Sequence, residues 1–406
     1  MNIWLISKYN SHPSYGPGCR LFHHAVNFKK YGHEPFLISS DANHTAKFPD
    51  TNKIYNYESI NDVLICWIKT FKYKRTASLN RILSWLDFEF KLFTTKFKIS
   101  RSPDVVIISS LSLLTIFYGV YLKSKFRCKL IFEVRDIWPL TMTEEGRFSK
   151  WHPLVLLLKY VEKFAYKKSD LIVGTMPKLD QHIFNIIGYN KPFFCSPLGF
   201  IDNNQKILRN NQYNALAKYF PKGKLIFGYC GSMGISNALE TYISCIKDLS
   251  EKNNIYFVFV GSGALKDKYE QVLKHKTNVC FIPKISPKQV PGFLQLCDVL
   301  YLSTHNSRVW DYGQSMNKLV SYMLSAKPII ASYAGYPSML NESNAGEFVK
   351  PNDKKLLLEK ILHYAAMTNE ERNSLGSKGL SWITNNRNYN QLSEEYITRI
   401  NEVVSA

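Results

Sequence analysis

Short apolar runs alternate with stretches of helical period along most of the chain. Asn2–Ser7 is a strand-length run, the loop Lys8–Gly18 carries Gly16-Pro17-Gly18, and Cys19–Lys30 keeps helical spacing up to Gly32, as a C-terminal glycine requires. Further strand-length runs fall at Pro35–Ser39, Asp104–Ser109, Lys129–Glu133 and Asp170–Gly174. Strands separated by helical stretches predict right-handed β-α-β crossovers and a parallel sheet. The pattern then restarts at Lys224–Tyr229, with the turn Gly231–Gly234 and a helix from about Asn237. Ile255–Gly261 runs into Gly261-Ser-Gly263, and Val279–Ile282 and Asp298–Ser303 are further strands. Pro197–Tyr219 is polar and rich in Asn, which suits a linker, and an amphipathic helix around Tyr389–Val404 follows the second half. The expected fold class is α/β, two doubly wound halves facing across a cleft.

One segment stands out chemically. Ser315–Ser332 reads as a helix that starts on small polar residues, carries Lys318 in its first turn and stops at Lys327-Pro328 before a short apolar strand. The polar loop Thr304–Gln314 joins it to the preceding strand. Such a unit places unpaired helix N-terminal N–H groups at the carboxyl edge of a parallel sheet, a ready anion site to which Lys318 adds a full charge.

Length and charge sharpen the picture. A chain of 406 residues is long for one core, which favours two domains. The 8 cysteines are scattered without a Cys-x-x-Cys pair, which suits a reducing compartment better than a disulfide framework or zinc site. Met1–Ile6 is too short for a signal-peptide core, and Val105–Leu122, interrupted by serines, Thr115 and Gly119, suits a buried strand and helix better than a membrane span. The formal net charge is +20, and residues 1–200 hold 28 basic against 15 acidic residues, so the first half alone carries +13. An anionic partner is expected. Nucleic acid is disfavoured because no RNP aromatics, zinc spacing or helix-turn-helix pattern accompanies the charge.

Residues 67–102 depart from an ordinary α/β half. They hold nine basic residues (Lys69, Lys72, Lys74, Arg75, Arg81, Lys91, Lys96, Lys98 and Arg101) against Asp87 and Glu89. Eight aromatics are interleaved: Trp67, Phe71, Tyr73, Trp85, Phe88, Phe90, Phe93 and Phe97. Two readings stand side by side, contact with an anionic membrane surface, or core aromatics with solvated lysines.

The ordered motifs resemble those of retaining glycosyltransferases of family 4, with the GT-B fold. Tyr15-Gly-Pro-Gly-Cys-Arg20 and Tyr31-Gly-His-Glu34 are similar to that family's first glycine loop and following turn. Glu133-Val-Arg-Asp-Ile-Trp-Pro139 resembles a block of a subfamily from bacterial O-antigen, capsule and colanic-acid assembly. Cys195–Gly199, Gly231–Gly234, Val260–Gly263 and Ser315–Ile330 complete the series in order.

The resemblance implies domains at 1–202, 203–380 and a C-terminal helix, 381–406, returning to the first domain. The second domain would take a nucleotide-sugar through Gly231, Ser232, Met233, Gly234, Lys284, Ile285, Gln314, Ser315, Asn317, Lys318, Leu319 and Ser321. The first would take a polyprenyl-diphosphate-linked glycan near Gly16, Gly18 and Arg20, with Asp136 as base or hydroxyl orienter and Arg135 on an acceptor phosphate or carboxylate. The alternative for this pair is structural, Asp136 capping a turn and Arg135 pairing with Glu133 or Glu144. No cofactor or metal is implied, and the location would be cytoplasmic, peripheral on the inner membrane. Ser321 stands where members carry the ribose-binding Glu, and residues 232–242 lack the Arg and Lys that members use on the diphosphate, leaving Lys318, with Arg308 or Lys284, to supply the charge. The competing reaction on the same fold is a nucleotide-sugar 2-epimerase or hydrolase.

Overall fold

The structure is a computed structural model that describes all residues except 17, 44–47, 49, 50, 74–78, 98–100, 111, 147, 202–213 and 251–253. Pro17, Lys74, Arg75, Lys98 and much of the expected linker thus lie outside the described residues. The chain forms two compact units, Met1–Gly199 with Tyr389–Ala406, and Phe200–Asn388.

In the first unit an eight-stranded sheet has the order β3-β4-β2-β1-β5-β6-β7-β8. Its strands are β1 (Asn2–Ile6), β2 (Glu34–Ser40), β3 (Tyr55–Ile60), β4 (Val63–Ile68), β5 (Val105–Ser109), β6 (Lys129–Val134), β7 (Leu171–Gly174) and β8 (Phe193–Cys195). All neighbours are parallel except the hairpin β3–β4. The central strands β1, β2, β5 and β6 are almost wholly buried, which is why they read as continuous apolar runs. The hairpin escaped the sequence reading because β3, Tyr-Asn-Tyr-Glu-Ser-Ile, is half-exposed and carries no apolar run. Its turn, Asn61-Asp62, takes positive φ of 50° and 61°, which these two side chains tolerate.

Helices α1 (Arg20–Lys30), α2 (Leu79–Thr94), α3 (Thr115–Phe126), α4 (Leu140–Glu144), α5 (Pro153–Lys168) and α6 (Leu179–Ile187) belong to this unit. In the second unit β9 (Leu225–Cys230), β10 (Ile255–Val260), β11 (Val279–Ile282), β12 (Val299–Ser303), β13 (Ile329–Ser332) and β14 (Gly346–Val349) form an all-parallel sheet. Their order is β11-β10-β9-β12-β13-β14, the doubly wound arrangement with its switch point between β9 and β12. The short α7 (Asn214–Ala217) precedes the sheet. Between and after the strands run α8 (Glu240–Asp248), α9 (Lys266–Val272), α10 (Val290–Gln295), α11 (Asn317–Leu324), α12 (Leu340–Ser343), α13 (Lys354–Ala366) and α14 (Asn369–Asn386).

The last helix, α15 (Tyr389–Ser405), packs on α1. Asn27 donates to the Tyr389 carbonyl at 3.1 Å, His24 Nδ1 lies 2.9 Å from Ser393 Oγ, and the Tyr396 ring meets His24 and Phe28 edge-on. A domain boundary at 380/381 would fall inside α14; the helix runs on to Asn386, and the units change at 388/389 instead.

Candidate active site

In a doubly wound sheet the ligand edge lies outside the carboxyl ends of the strands that flank the switch point, here β9 and β12. The loop after β9, Gly231–Gly234, is locked to the loop after β10, Gly261–Gly263. Gly231 N donates to Val260 O at 2.9 Å, and Met233 N to Ser262 O at 2.9 Å. Side chains are excluded from this contact. A Cβ on Gly261 would stand 1.9 Å from Gly231 O, and one on Gly263 would stand 2.4 Å from the Met233 carbonyl carbon. Two chain turns approach closely enough to leave a surface of bare backbone, the kind a phosphate can reach.

Lys318 lies in the first turn of α11, beyond the loop after β12. Its Nζ donates to Tyr229 Oη at 3.0 Å and Asn237 Oδ1 at 2.7 Å, and sits 4.5 Å from the Tyr229 ring centroid. A Cβ on Gly231 would come within 2.8 Å of Lys318 Cε, so the lysine stem rests on that glycine. Desolvation pulls the ammonium down from its ordinary 10.5 to about 8, with the Cys230 thiol acting weakly in the other direction. The cation is therefore held by neutral oxygens beside a helix N-terminus whose first N–H groups have no intrahelical acceptor.

The other expected donor residues divide. Gln314 is buried at 2% exposure, and neither its amide oxygen nor its nitrogen has a partner among the described residues, which is unusual for a buried amide and fits a group that bonds a ligand. Asn317 is exposed at the start of α11, and Ser315 is half-buried in the loop before it. Leu319 is fully buried core and offers only its main-chain N–H; Met233 is also fully buried, and its N–H is already used on Ser262 O. Ser321 turns its hydroxyl onto its own helix, donating to Asn317 O at 3.1 Å. Lys284 is exposed and Ile285 half-buried beyond β11. Sequence reasoning passed over His305, whose Nε2 bonds Ile235 O, and Ser303, whose Oγ donates to Asn237 O at 2.6 Å. Together they tie the loop after β12 to the loop after β9.

In the first unit the corresponding edge lies past β1, β5 and β6. Arg135 and Asp136 follow β6, where Ser110 Oγ accepts from Arg135 N at 3.1 Å and Thr175 Oγ1 donates to Arg135 O at 3.1 Å. Both loops are thereby fixed from the neighbouring strands. The Asp136 carboxylate accepts no bond from the following turn among the described residues, and Glu133 is occupied by Arg20 and Ser109 rather than by Arg135. Asp136 reaches solvent, yet desolvation by the protein around it raises its carboxyl above the ordinary value, against the pull of Arg135.

Arg20 does not serve an acceptor. It is 2% exposed, pairs through Nε with Glu133 Oε2 at 3.2 Å and donates to the carbonyls of Pro197 at 2.6 Å and Ser196 at 2.7 Å. A sequence motif cannot distinguish an arginine facing a ligand from one clamping the chain end after β8. The glycine loop beside it is closed by its own bonds, Ser11 N to Gly18 O at 3.2 Å and the Cys19 thiol to Gly16 O at 3.1 Å. Two histidines near it went unnoticed, His12 and His23, the latter lowered to about 4 chiefly by burial.

Comparison with known proteins bears on the fold and on the second unit. Residues 224–366 match the family model described as glycosyl transferases group 1. That match lies wholly within the second unit. Sucrose-phosphate synthase from Thermosynechococcus elongatus superposes with a TM-score of 0.74 at 15% identity, covering 100% of this chain and 99% of that one. The E. coli trehalose-6-phosphate protein bound with UDP-2-fluoro glucose gives 0.72 at 12%, covering 98% and 99%. Anabaena HepE in complex with UDP and glucose gives 0.66 at 12%, covering 99% and 100%. The chain has the GT-B fold. A search of curated proteins finds no significant match. Among the described residues no helix is long and apolar enough to cross a membrane, and no three His, Cys, Asp or Glu side chains cluster as metal ligands.

Proposed function

We propose that this chain is a retaining glycosyltransferase of family 4 that moves a sugar from a nucleotide-sugar to a polyprenyl-diphosphate-linked glycan in bacterial surface-polysaccharide assembly, working on the cytoplasmic membrane face. The observation that carries the donor half is Lys318, half-buried, bonded only to neutral oxygens, and resting on Gly231 beside the backbone cradle. An ammonium so placed offsets the charge that grows on a departing diphosphate, and the free N–H groups at the start of α11 add to it. No metal or cofactor is invoked for this stabilisation. Gln314 would orient the donor through its unpartnered amide.

Arg135 and Asp136 carry the acceptor half. A carboxyl raised by desolvation is suited to take up the acceptor hydroxyl proton as the new bond forms. The lipid-linked acceptor is supported by exposed aromatic side chains on the first unit, Phe71 at 60%, Phe90 at 66% and Trp151 at 83%. A 2-epimerase or hydrolase would have no use for them. The test is an assay of nucleoside-diphosphate release from a panel of nucleotide-sugars. Release only when a polyprenyl-diphosphate-linked acceptor is added supports transfer. Equal release without acceptor contradicts it.

A further inference from the structure

Two helices of the first unit turn apolar side chains to solvent. α2 buries one stripe, Ser84, Phe88 and Leu92, and leaves Leu79 78%, Leu83 49% and Phe90 66% exposed. α5 and the residue two before it do the same with Trp151 at 83%, Leu156 at 44% and Tyr160 at 66%. Between the helices lies a slot of about 140 Å³, lined by Ile82, Trp85 and Leu86 from α2, Leu154 and Leu157 from α5, and Trp138. The Trp85 and Trp138 rings meet edge to face at 6.1 Å. Its walls are almost wholly apolar, as a hydrocarbon chain requires.

Its position ties it to the acceptor edge. Trp138 is two residues past Asp136, and the wall residues Ser112–Leu114 follow Ser110, whose hydroxyl holds the Arg135 main chain. We infer that this slot seats the isoprenoid chain of a diphosphate-linked acceptor, leaving the diphosphate at the Arg135–Asp136 loop. The inference rests on the lipid-linked acceptor proposed above and adds where the lipid lies. Charge favours this occupant over a second copy of the chain. α5 carries Lys159, Lys163, Lys167 and Lys168 against one acid, Glu162, which is buried against His182 at 2.7 Å. With +13 on the first half of the chain, two copies would repel each other, whereas a diphosphate is drawn in.

Farnesyl diphosphate tests this, read by tryptophan fluorescence, since Trp85 and Trp138 line the slot. A saturable change is expected with farnesyl diphosphate and none with inorganic diphosphate at equal concentration. Ile82→Lys and Leu157→Lys, at positions 43% and 52% exposed, should each weaken farnesyl binding at least tenfold while melting temperature and nucleotide-sugar affinity stay as in the wild type. A diazirine-bearing farnesyl diphosphate should label peptides from 79–94 and 153–168 of the wild-type protein, which keeps the inference testable should either variant misfold. No saturable change, unaltered affinity in folded variants, labelling elsewhere, or a wild-type dimer that the same variants dissociate would each overturn it. Farnesyl binding without any nucleotide-sugar binding would sink the transferase reading and leave the slot standing.

Discussion

Lys318 and Lys8 both lie at the carboxyl edge of a parallel sheet, one in each unit, and both lose part of their charge preference to burial. Lys318 falls to about 8 and Lys8 to about 7, in each case mainly through desolvation. Their surroundings differ. Lys8 is 0% exposed, donates to Ser84 Oγ at 2.8 Å, Ser40 Oγ at 3.3 Å and Ala42 O at 3.4 Å, and is boxed by the rings of Tyr9, Tyr73 and Phe88. All three of its donors are used, so it stitches β1 to α2 and has nothing left for a ligand. Lys318 makes two bonds, to Tyr229 and Asn237, next to a backbone cradle from which side chains are excluded. A buried lysine at a sheet edge is thus no signal by itself. The open backbone beside it makes the difference.

The comparison breaks most sharply at the cradle. Gly261→Ala sets a Cβ 1.9 Å from Gly231 O, so the two loops must part; overpacking of this kind costs about 1–3 kcal/mol or more. Donor binding should fall below detection in a thermal-shift titration, and unaltered binding would show that the loops do not form the site. Next in size, Asp136→Asn should lower transfer by about 10²–10⁴-fold with donor affinity unchanged, as expected for a lost proton acceptor. A change in donor affinity instead would move Asp136 out of that role.

Lys318→Ala comes third. Losing a hydrogen bond to a charged group costs about 1.5–3 kcal/mol, or roughly tenfold to a hundredfold in Kd. The matching Lys8→Met should leave donor affinity untouched, which is the sharpest contrast between the two lysines. The smallest effects are in pH. Diphosphate affinity requires the protonated Lys318, so Kd should rise as pH climbs through about 8, and Lys318→Met should flatten that profile. For Lys8 the folded value of about 7 lies below the unfolded 10.5, so the unfolded chain binds the extra proton between them. Stability should therefore rise with pH in that window, a slope that Lys8→Met removes from the melting curve of the protein.

What the chain revealed in advance follows from how each feature is encoded. Central strands such as β1 and β5 were legible because burial on both faces demands unbroken apolar runs. β3 and the three-residue β8 were not, being half-exposed or too short for a period. At the site, Lys318 was legible from strand-edge placement and Gly231 from the family resemblance, but the contacts of Gly231 with Lys318 and Gly261 depend on register between neighbouring strands. Arg20 misled for the same reason. Its motif lies at a ligand edge, while its partners, Glu133 and Ser196, come from more than a hundred residues away. In residues 67–102 the aromatics divide: Trp67 and Phe88 are core, whereas Phe71, Phe90 and Phe93 face solvent.

The central claim is that the second unit grips a nucleoside diphosphate through the glycine cradle and Lys318. Calorimetric titration of UDP and GDP into the wild-type protein and Lys318→Ala, with uridine and guanosine as controls, addresses it directly. At least one diphosphate should bind the wild type and lose about tenfold to a hundredfold in affinity in the variant, with the nucleosides indifferent to the substitution. Equal diphosphate affinity in the two proteins would contradict the account.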